Sequence, residues 1–227
     1  MEISVSSIGA VLGYSNSRSR TEILLDLVYK RPRDEDSVPL FYYRANLGHA
    51  IHDYQEKTGD SISQVGDEKF ENIICKNQKI AGRKVVLIKI PFSHKGDPKL
   101  PHIDEREDWY AEAQYRMKAA GLFECDVYVW SAKASIIYSV ALDPYWIEGH
   151  QESIKMFIDE CHHKTQAVEI DLEVLEQEYI EAKTKYERLR DKVIEVAQGQ
   201  PNHRVGTLQV EKIKRHDGCH WVVKSCS

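Results

Sequence analysis

The sequence predicts an α/β protein: a small mixed sheet flanked by helices, then a long heptad helix and a β-hairpin tail. Three observations carry this. Helical and strand periodicities alternate along the first two thirds of the chain. A continuous apolar run, Val85-Val86-Leu87-Ile88, has the character of a strand buried on both faces. A seam of apolar residues spaced by threes and fours runs from Leu172 to Val196.

Taken in order, Glu2 to Tyr14 reads as a brief strand running into a short helix that ends near Gly13. Ser19-Arg20-Thr21-Glu22 is a capping-box pattern, and Ile23, Leu24, Leu27 and Val28 follow at helical spacing, predicting a helix over 19–30. Residues 31–39 are charged and carry two prolines, hence a loop. A second helix is expected from Phe41 to Thr58, stopped by Gly59. Strands are expected over 70–76 and 84–90, with Ala81-Gly82 turning between them. Pro91 to Glu107 is irregular. A helix from Asp108 to Ala120 ends at Gly121, and two strands follow around Val127–Trp130 and Ile136–Val140. Asp143-Pro144 opens a further helix running to about His162, with Pro144 suited to its first turn.

The seam comprises Leu172, Leu175, Tyr179, Ala182, Tyr186, Leu189, Val193 and Val196. Acids crowd its start (Glu169, Asp171, Glu173, Glu176, Glu178) and bases its later half (Lys183, Lys185, Arg188, Arg190, Lys192), an order that complements the helix dipole. The segment is either a coiled-coil arm for a partner or second copy, or an amphipathic helix lying on its own domain. Gly199-Gln200-Pro201 breaks it. Residues 200–227 then carry five Lys or Arg against two acids and read as a hairpin turning at Asp217-Gly218. The expected organisation is 1–163 as an α/β core, 164–199 as the long helix and 200–227 as the basic tail.

The formal net charge of -5 argues against a wholly basic nucleic-acid coat, while leaving room for a local basic groove. The five cysteines form no CxxC pair. Cys161 beside His162 and His163 is the one zinc-like cluster, short of a four-ligand pattern, and reduced thiols in a cytoplasmic protein are the simpler reading. No apolar run is long enough to span a membrane and no signal peptide opens the chain, so no membrane association is expected.

Several scattered pieces together resemble one family, the YqaJ-like viral recombinases of the lambda-exonuclease group. Ser6-Ser7-Ile8-Gly9-Ala10-Val11-Leu12-Gly13-Tyr14-Ser15 resembles their N-terminal serine motif. Gly48-His49-Ala50-Ile51-His52 resembles their Gly-x-x-x-Glu helix, in the histidine variant of related RecB-type nucleases. Leu87-Ile88-Lys89-Ile90-Pro91-Phe92 resembles their Glu-x-Lys-x-Pro-Phe strand end, and Trp109 to Met117 their Tyr-x-x-Gln-x-Gln helix. The resemblance spans about Ser6 to Trp221.

It implies a PD-(D/E)xK restriction-endonuclease-like core, in which two carboxylates hold Mg²⁺ and a lysine positions the attacking water. Here the pattern departs. The family's Glu falls at Leu87, and its aspartate near Asn77 or Gln78, where Lys76 and Lys79 add positive charge instead. Asp67, Glu68 and Glu71 lie upstream, out of register. What remains of the catalytic pattern is Lys89 and Gln114, with His52 as a possible metal ligand. Ser6, Arg18, Arg20, Lys76 and Lys79 are the candidate DNA contacts, guanidinium being suited to phosphate.

By analogy the resemblance implies a phage or prophage recombination-associated protein, catalytically impaired and without a cofactor. Its expected partners are DNA ends, a single-strand annealing protein or another protein, or further copies of itself. The alternatives are an active Mg²⁺-dependent 5′→3′ exonuclease on double-stranded DNA, and an inhibitor or decoy of a host nuclease that works by protein contact.

Overall fold

The computed structural model describes residues 1–15, 17–31, 37–196, 203–205, 208–215 and 218–225. The chain forms two compact units, Met1–Thr165 and Gln166–Ser227.

The first unit opens with β1 (Ile3–Ser4), a 3₁₀ turn and α1 (Ile8–Val11). In α2 (Arg20–Val28) the expected capping box forms: Ser19 Oγ accepts from Glu22 N at 3.2 Å, and Glu22 Oε2 accepts from Ser19 N at 2.6 Å. α3 (Val38–Thr58) starts with proline in its first turn and stops at Gly59, which takes the left-handed conformation at φ 76°.

Six strands come next: β2 (Ile62–Gln64), β3 (Glu68–Phe70), β4 (Ile73–Cys75), β5 (Lys79–Ala81), β6 (Lys84–Lys89) and, after α4 (Glu107–Ala120), β7 (Glu124–Trp130). β8 (Ser135–Ala141) leads into α5 (Pro144–Val196), whose start is capped by Asp143 Oδ1 accepting from Trp146 N at 3.0 Å.

The main sheet has the order β2-β5-β6-β7-β8. β6 and β7 are parallel and the other neighbours antiparallel, so α4 is the crossover that parallel strands require. Alternation along β6 divides the core. Val85 and Leu87 pack with Trp109, Ala113 and Met117 of α4 on one face. Val86, Ile88 and Ile90 pack with Ala50 and Tyr54 of α3 on the other. A smaller sheet, β1-β4-β3, pairs β1 parallel to β4. α1 approaches α4 so closely at Gly9 that a Cβ there would lie 2.5 Å from Asp108 Cβ.

Two expectations need correction. The strand anticipated over 70–76 is a hairpin: Phe70 pairs with Ile73 across Glu71-Asn72, with Glu71 at φ 52°. The two polar residues inside an apolar run are the turn. The short β2 and β5 also went unanticipated. Second, the helix from Pro144 does not end near His162 but continues unbroken to Val196. Residues 163–171 contain neither Gly nor Pro, so nothing stops it.

The second unit holds the later part of α5 and a three-stranded antiparallel sheet in the order β11-β10-β9: β9 (His203–Val205), β10 (Leu208–Arg215) and β11 (Gly218–Ser225). The hairpin β10–β11 closes in the register Arg215↔Gly218, and β9 adds a third strand to the tail. The anticipated turn residue Asp217 lies outside the described residues.

Candidate functional site

β6 ends at the mouth of a cleft of about 680 Å³ in the first unit. Its floor includes Leu87 and Lys89 from β6 and Trp109, Glu112 and Arg116 from α4. Because side chains two apart on a strand share a face, Leu87 and Lys89 both point toward α4. Leu87 and Lys89, the two positions that the sequence resemblance aligns with a Glu-x-Lys pattern, therefore lie on the same side of the sheet.

The centre of the cleft is an ion-pair triad. Lys89 Nζ donates to Glu112 Oε2 at 2.6 Å. Arg116, one helical turn after Glu112, donates from Nε to Oε1 at 2.9 Å, and its Nη2 forms an ion pair with the same oxygen at 2.8 Å. The side chain of Glu112 is only 6% exposed, that of Arg116 14% and that of Lys89 19%, so the triad is held largely out of water. Burial alone would raise the Glu112 carboxyl. The Lys89 ammonium and Arg116 guanidinium outweigh it and bring the group down to about 2. Glu112 in turn offsets the burial of Arg116 and raises its guanidinium above the ordinary value.

The network extends through Gln78, which is fully buried. Its Oε1 accepts from Arg116 Nη1 at 3.2 Å, and its Nε2 donates to Glu68 Oε2 at 2.8 Å and to the Arg116 carbonyl at 2.9 Å. Gln78 thus bridges the Glu68 carboxylate and the Arg116 guanidinium. Asn77 sits at φ 52° in the turn before β5, its Oδ1 accepting from Gln64 Nε2 at 3.1 Å.

Lys79, Lys89, Arg106 and Arg116 line the cleft with one carboxylate, Glu112. Arg106 is held by Asp108 through two bonds of 2.8 and 2.7 Å and lies 4.0 Å over the Trp109 ring. Setting that pair aside leaves three cations against one anion, a net of two positive charges. Burial, with Arg116 nearby, holds the Lys79 ammonium below its ordinary value.

The remaining sequence candidates are dispersed. Gln114 is buried, but about 200° around α4 from Glu112. It donates to the Ala141 carbonyl at 2.9 Å and accepts from Asp143 N at 2.7 Å, joining the end of β8 to the start of α5. His52 is 72% exposed, pairs with Glu56 at 3.3 Å and does not line the cleft. Arg20 reaches Glu160 at 2.7 Å and lies over the Phe157 ring, pinning α2 to α5. Arg18 is paired with Asp26. Ser6 is exposed and lines both this cleft and a neighbouring one beside Arg18. Lys76 is exposed, and its carbonyl lies 3.5 Å from Arg116 Nη1. Glu71 accepts from Gln151. Cys161 is buried while His162 and His163 are exposed, so the three do not converge.

Sequence reasoning missed Glu112 and Arg116. The signal was available. Glu112 sits between Ala111 and Ala113, small residues that let α4 approach the sheet, and Arg116 follows at the i+4 spacing of a helix ion pair.

The donor set does not fit a hard divalent cation. Mg²⁺ favours several oxygen ligands, usually one or two carboxylates with water. Here one carboxylate has both oxygens engaged by cations, the adjacent strand offers leucine, and the neighbouring loop offers an amide. Among the described residues no cluster of three or more His, Cys, Asp or Glu side chains could hold a metal.

The fold is that of solved exonucleases. An alkaline exonuclease, LHK-Exo, from Laribacter hongkongensis superposes with a TM-score of 0.61 at 14% identity, covering 77% of this chain and 94% of that one. The same enzyme has been solved in complex with dAMP, with equal similarity. A phage-related exonuclease from Haemophilus somnus 129PT gives a TM-score of 0.55 at 10% identity, covering 76% of this chain and 96% of that one. No protein-family model and no curated protein matches the sequence. No helix among the described residues is long and apolar enough to cross a membrane.

Proposed function

We propose that this chain binds DNA ends through the Lys79–Lys89–Arg116 cleft and does not hydrolyse them, an exonuclease fold in which an ion-pair triad replaces the metal centre. The observation that carries this reading is the double engagement of Glu112. A metal entering the cleft would have to displace two buried cations and would then find a single carboxylate. Phosphate, in contrast, needs only the excess positive charge that the triad and Lys79 already supply. The exonucleases that share the fold act on nucleic acid, and a complex with dAMP is known for one of them. By the same analogy the setting is phage or prophage recombination beside a single-strand annealing protein.

The chain is net acidic, so attraction must be local and affinity should fall steeply as salt rises, through counterion release. Fluorescence anisotropy with duplex, overhang and single-stranded oligonucleotides at two salt concentrations tests this. Binding at low salt that weakens in Lys79→Ala and Lys89→Ala supports it. No binding at low salt, or binding that ignores both substitutions, points to a protein partner instead.

An active exonuclease has one observation in its favour. Glu68, across Gln78 from Arg116, is a second carboxylate close to the triad. Metal-dependent shortening of linear duplex, abolished by Glu68→Gln and by Lys89→Ala, would establish that reading.

A further inference from the structure

The part of α5 in the second unit carries a charge pattern that specifies its own partner. Its seam is exposed: Leu172 and Leu175 by 59%, Tyr179 by 66%, Leu189 by 54%. An isolated water-exposed helix does not keep such a stripe without something to cover it. In heptad terms Leu172, Tyr179 and Tyr186 occupy a positions, and Leu175, Ala182 and Leu189 occupy d positions.

The residues flanking the seam fall into two blocks of opposite charge. In the first half the e and g positions are Glu169, Asp171, Glu176 and Glu178, all acidic. In the second half they are Lys183, Lys185, Arg190 and Lys192, all basic. We propose that this helix pairs with the same helix of a second copy, antiparallel and centred between Ile180 and Glu181.

That register satisfies every layer at once. Leu172 of one copy faces Leu189 of the other, and Leu175 faces Tyr186. The bulky Tyr179 meets the small Ala182, a large-against-small match that lets the two helices close up. The same register sets Glu176 against Lys183 and Glu169 against Arg190 on one flank. On the other flank it sets Glu178 against Lys185 and Asp171 against Lys192. Two-fold symmetry repeats each pair, as an isologous interface demands. Within the single chain Arg190 contacts its neighbour Asp191 at 2.8 Å, an exposed pair that pairing across the dimer would have to rearrange.

A parallel pair would not work. There each g residue faces the following e residue of the partner, which sets Asp171 against Glu176 and Lys185 against Arg190, like against like. Only Glu178 and Lys183 would attract. The order of charges therefore selects the antiparallel pair and discourages the parallel one.

Sedimentation equilibrium of the full chain, kept reduced, tests the proposal. The wild type should be in a concentration-dependent monomer–dimer equilibrium. Glu176→Lys turns two attractive contacts per dimer into repulsions and should weaken self-association roughly tenfold; Lys183→Glu should do the same. The double variant, with the pair exchanged, should recover the wild-type constant. Both positions are exposed, and circular dichroism should show unchanged helix content in all three variants. A wild type that stays monomeric at every concentration overturns the proposal. So does a Glu176→Lys variant that associates more tightly, the signature of a parallel pair, or a self-association constant indifferent to all three changes.

Discussion

Lys89 Nζ lies 2.6 Å from Glu112 Oε2, and this bond ties the end of β6 to the middle of α4 at the floor of the cleft. A buried carboxylate shared by two cations is a poor source of net stability as a unit, but removing one member leaves the rest uncompensated. Glu112→Gln should therefore destabilise the first unit by roughly 3–5 kcal/mol, since it leaves both Lys89 and Arg116 without a counter-charge. Lys89→Ala should cost less, because Arg116 still neutralises Glu112. Urea unfolding checks the order. A Glu112→Gln midpoint within error of wild type would show that the triad is not held as described.

The same carboxylate gives the stability an acid limb. Its folded-state value is about 2, against an ordinary value of 4.5. A depressed carboxyl contributes stability that is present above the unfolded value and lost as pH falls toward the folded one. Glu112 should therefore withdraw up to about 3 kcal/mol between pH 4.5 and pH 2. Thermal melts of wild type and Glu112→Gln across that range should converge as the pH drops. Parallel curves would assign the acid sensitivity elsewhere.

Two glycines should behave oppositely. Gly9→Ala drives a Cβ to 2.5 Å from Asp108 Cβ and should cost roughly 1–3 kcal/mol as α1 is pushed off α4. Gly48 lies inside α3 with open space around it, so Gly48→Ala should stabilise by about 0.5–1 kcal/mol through helix propensity. Differential scanning calorimetry of the two variants reads both signs. Equal shifts would contradict the close α1–α4 approach.

The buried thiols should be inert. Burial pushes Cys75 up to about 11 and Cys125 up to about 12, and Cys161 is buried and raised as well. Alkylation of the native chain, mapped by mass spectrometry, should leave these three unlabelled until denaturant is added. Prompt labelling of Cys125 in native buffer would contradict its place in the core beside Leu87.

Much of the fold was legible because local signals and packing agree. The capping box at Ser19, the stops at Gly59 and Gly121 and the apolar run of β6 all fall where their residue types dictate. Glu71-Asn72 was missed because Phe70, Ile73 and Ile74 dominate the pattern around a two-residue turn. No Gly or Pro follows His162 to end the helix there, and the helix-forming sequence carries α5 on to Val196. The site was legible in part. The alternation of side chains along β6 puts Leu87 and Lys89 on one face. The partner of Lys89 was not evident, because a charged residue on a helix is ordinarily read as solvent-facing. Only the approach of α4 to the sheet shows that Glu112 points inward. Gln114 lay on the other side of that helix for the same reason, a difference of two residues in a 3.6-residue repeat.

Whether the cleft holds DNA without cutting it can be read in a single experiment. End-labelled linear duplex, incubated with excess protein in EDTA, Mg²⁺ or Mn²⁺ and resolved on native and denaturing gels, asks both questions of one sample. The triad predicts a retarded complex on the native gel and full-length strands on the denaturing gel in all three conditions, with retardation reduced in Lys89→Ala. Shortened strands in the Mg²⁺ or Mn²⁺ lanes that disappear with Lys89→Ala would contradict it.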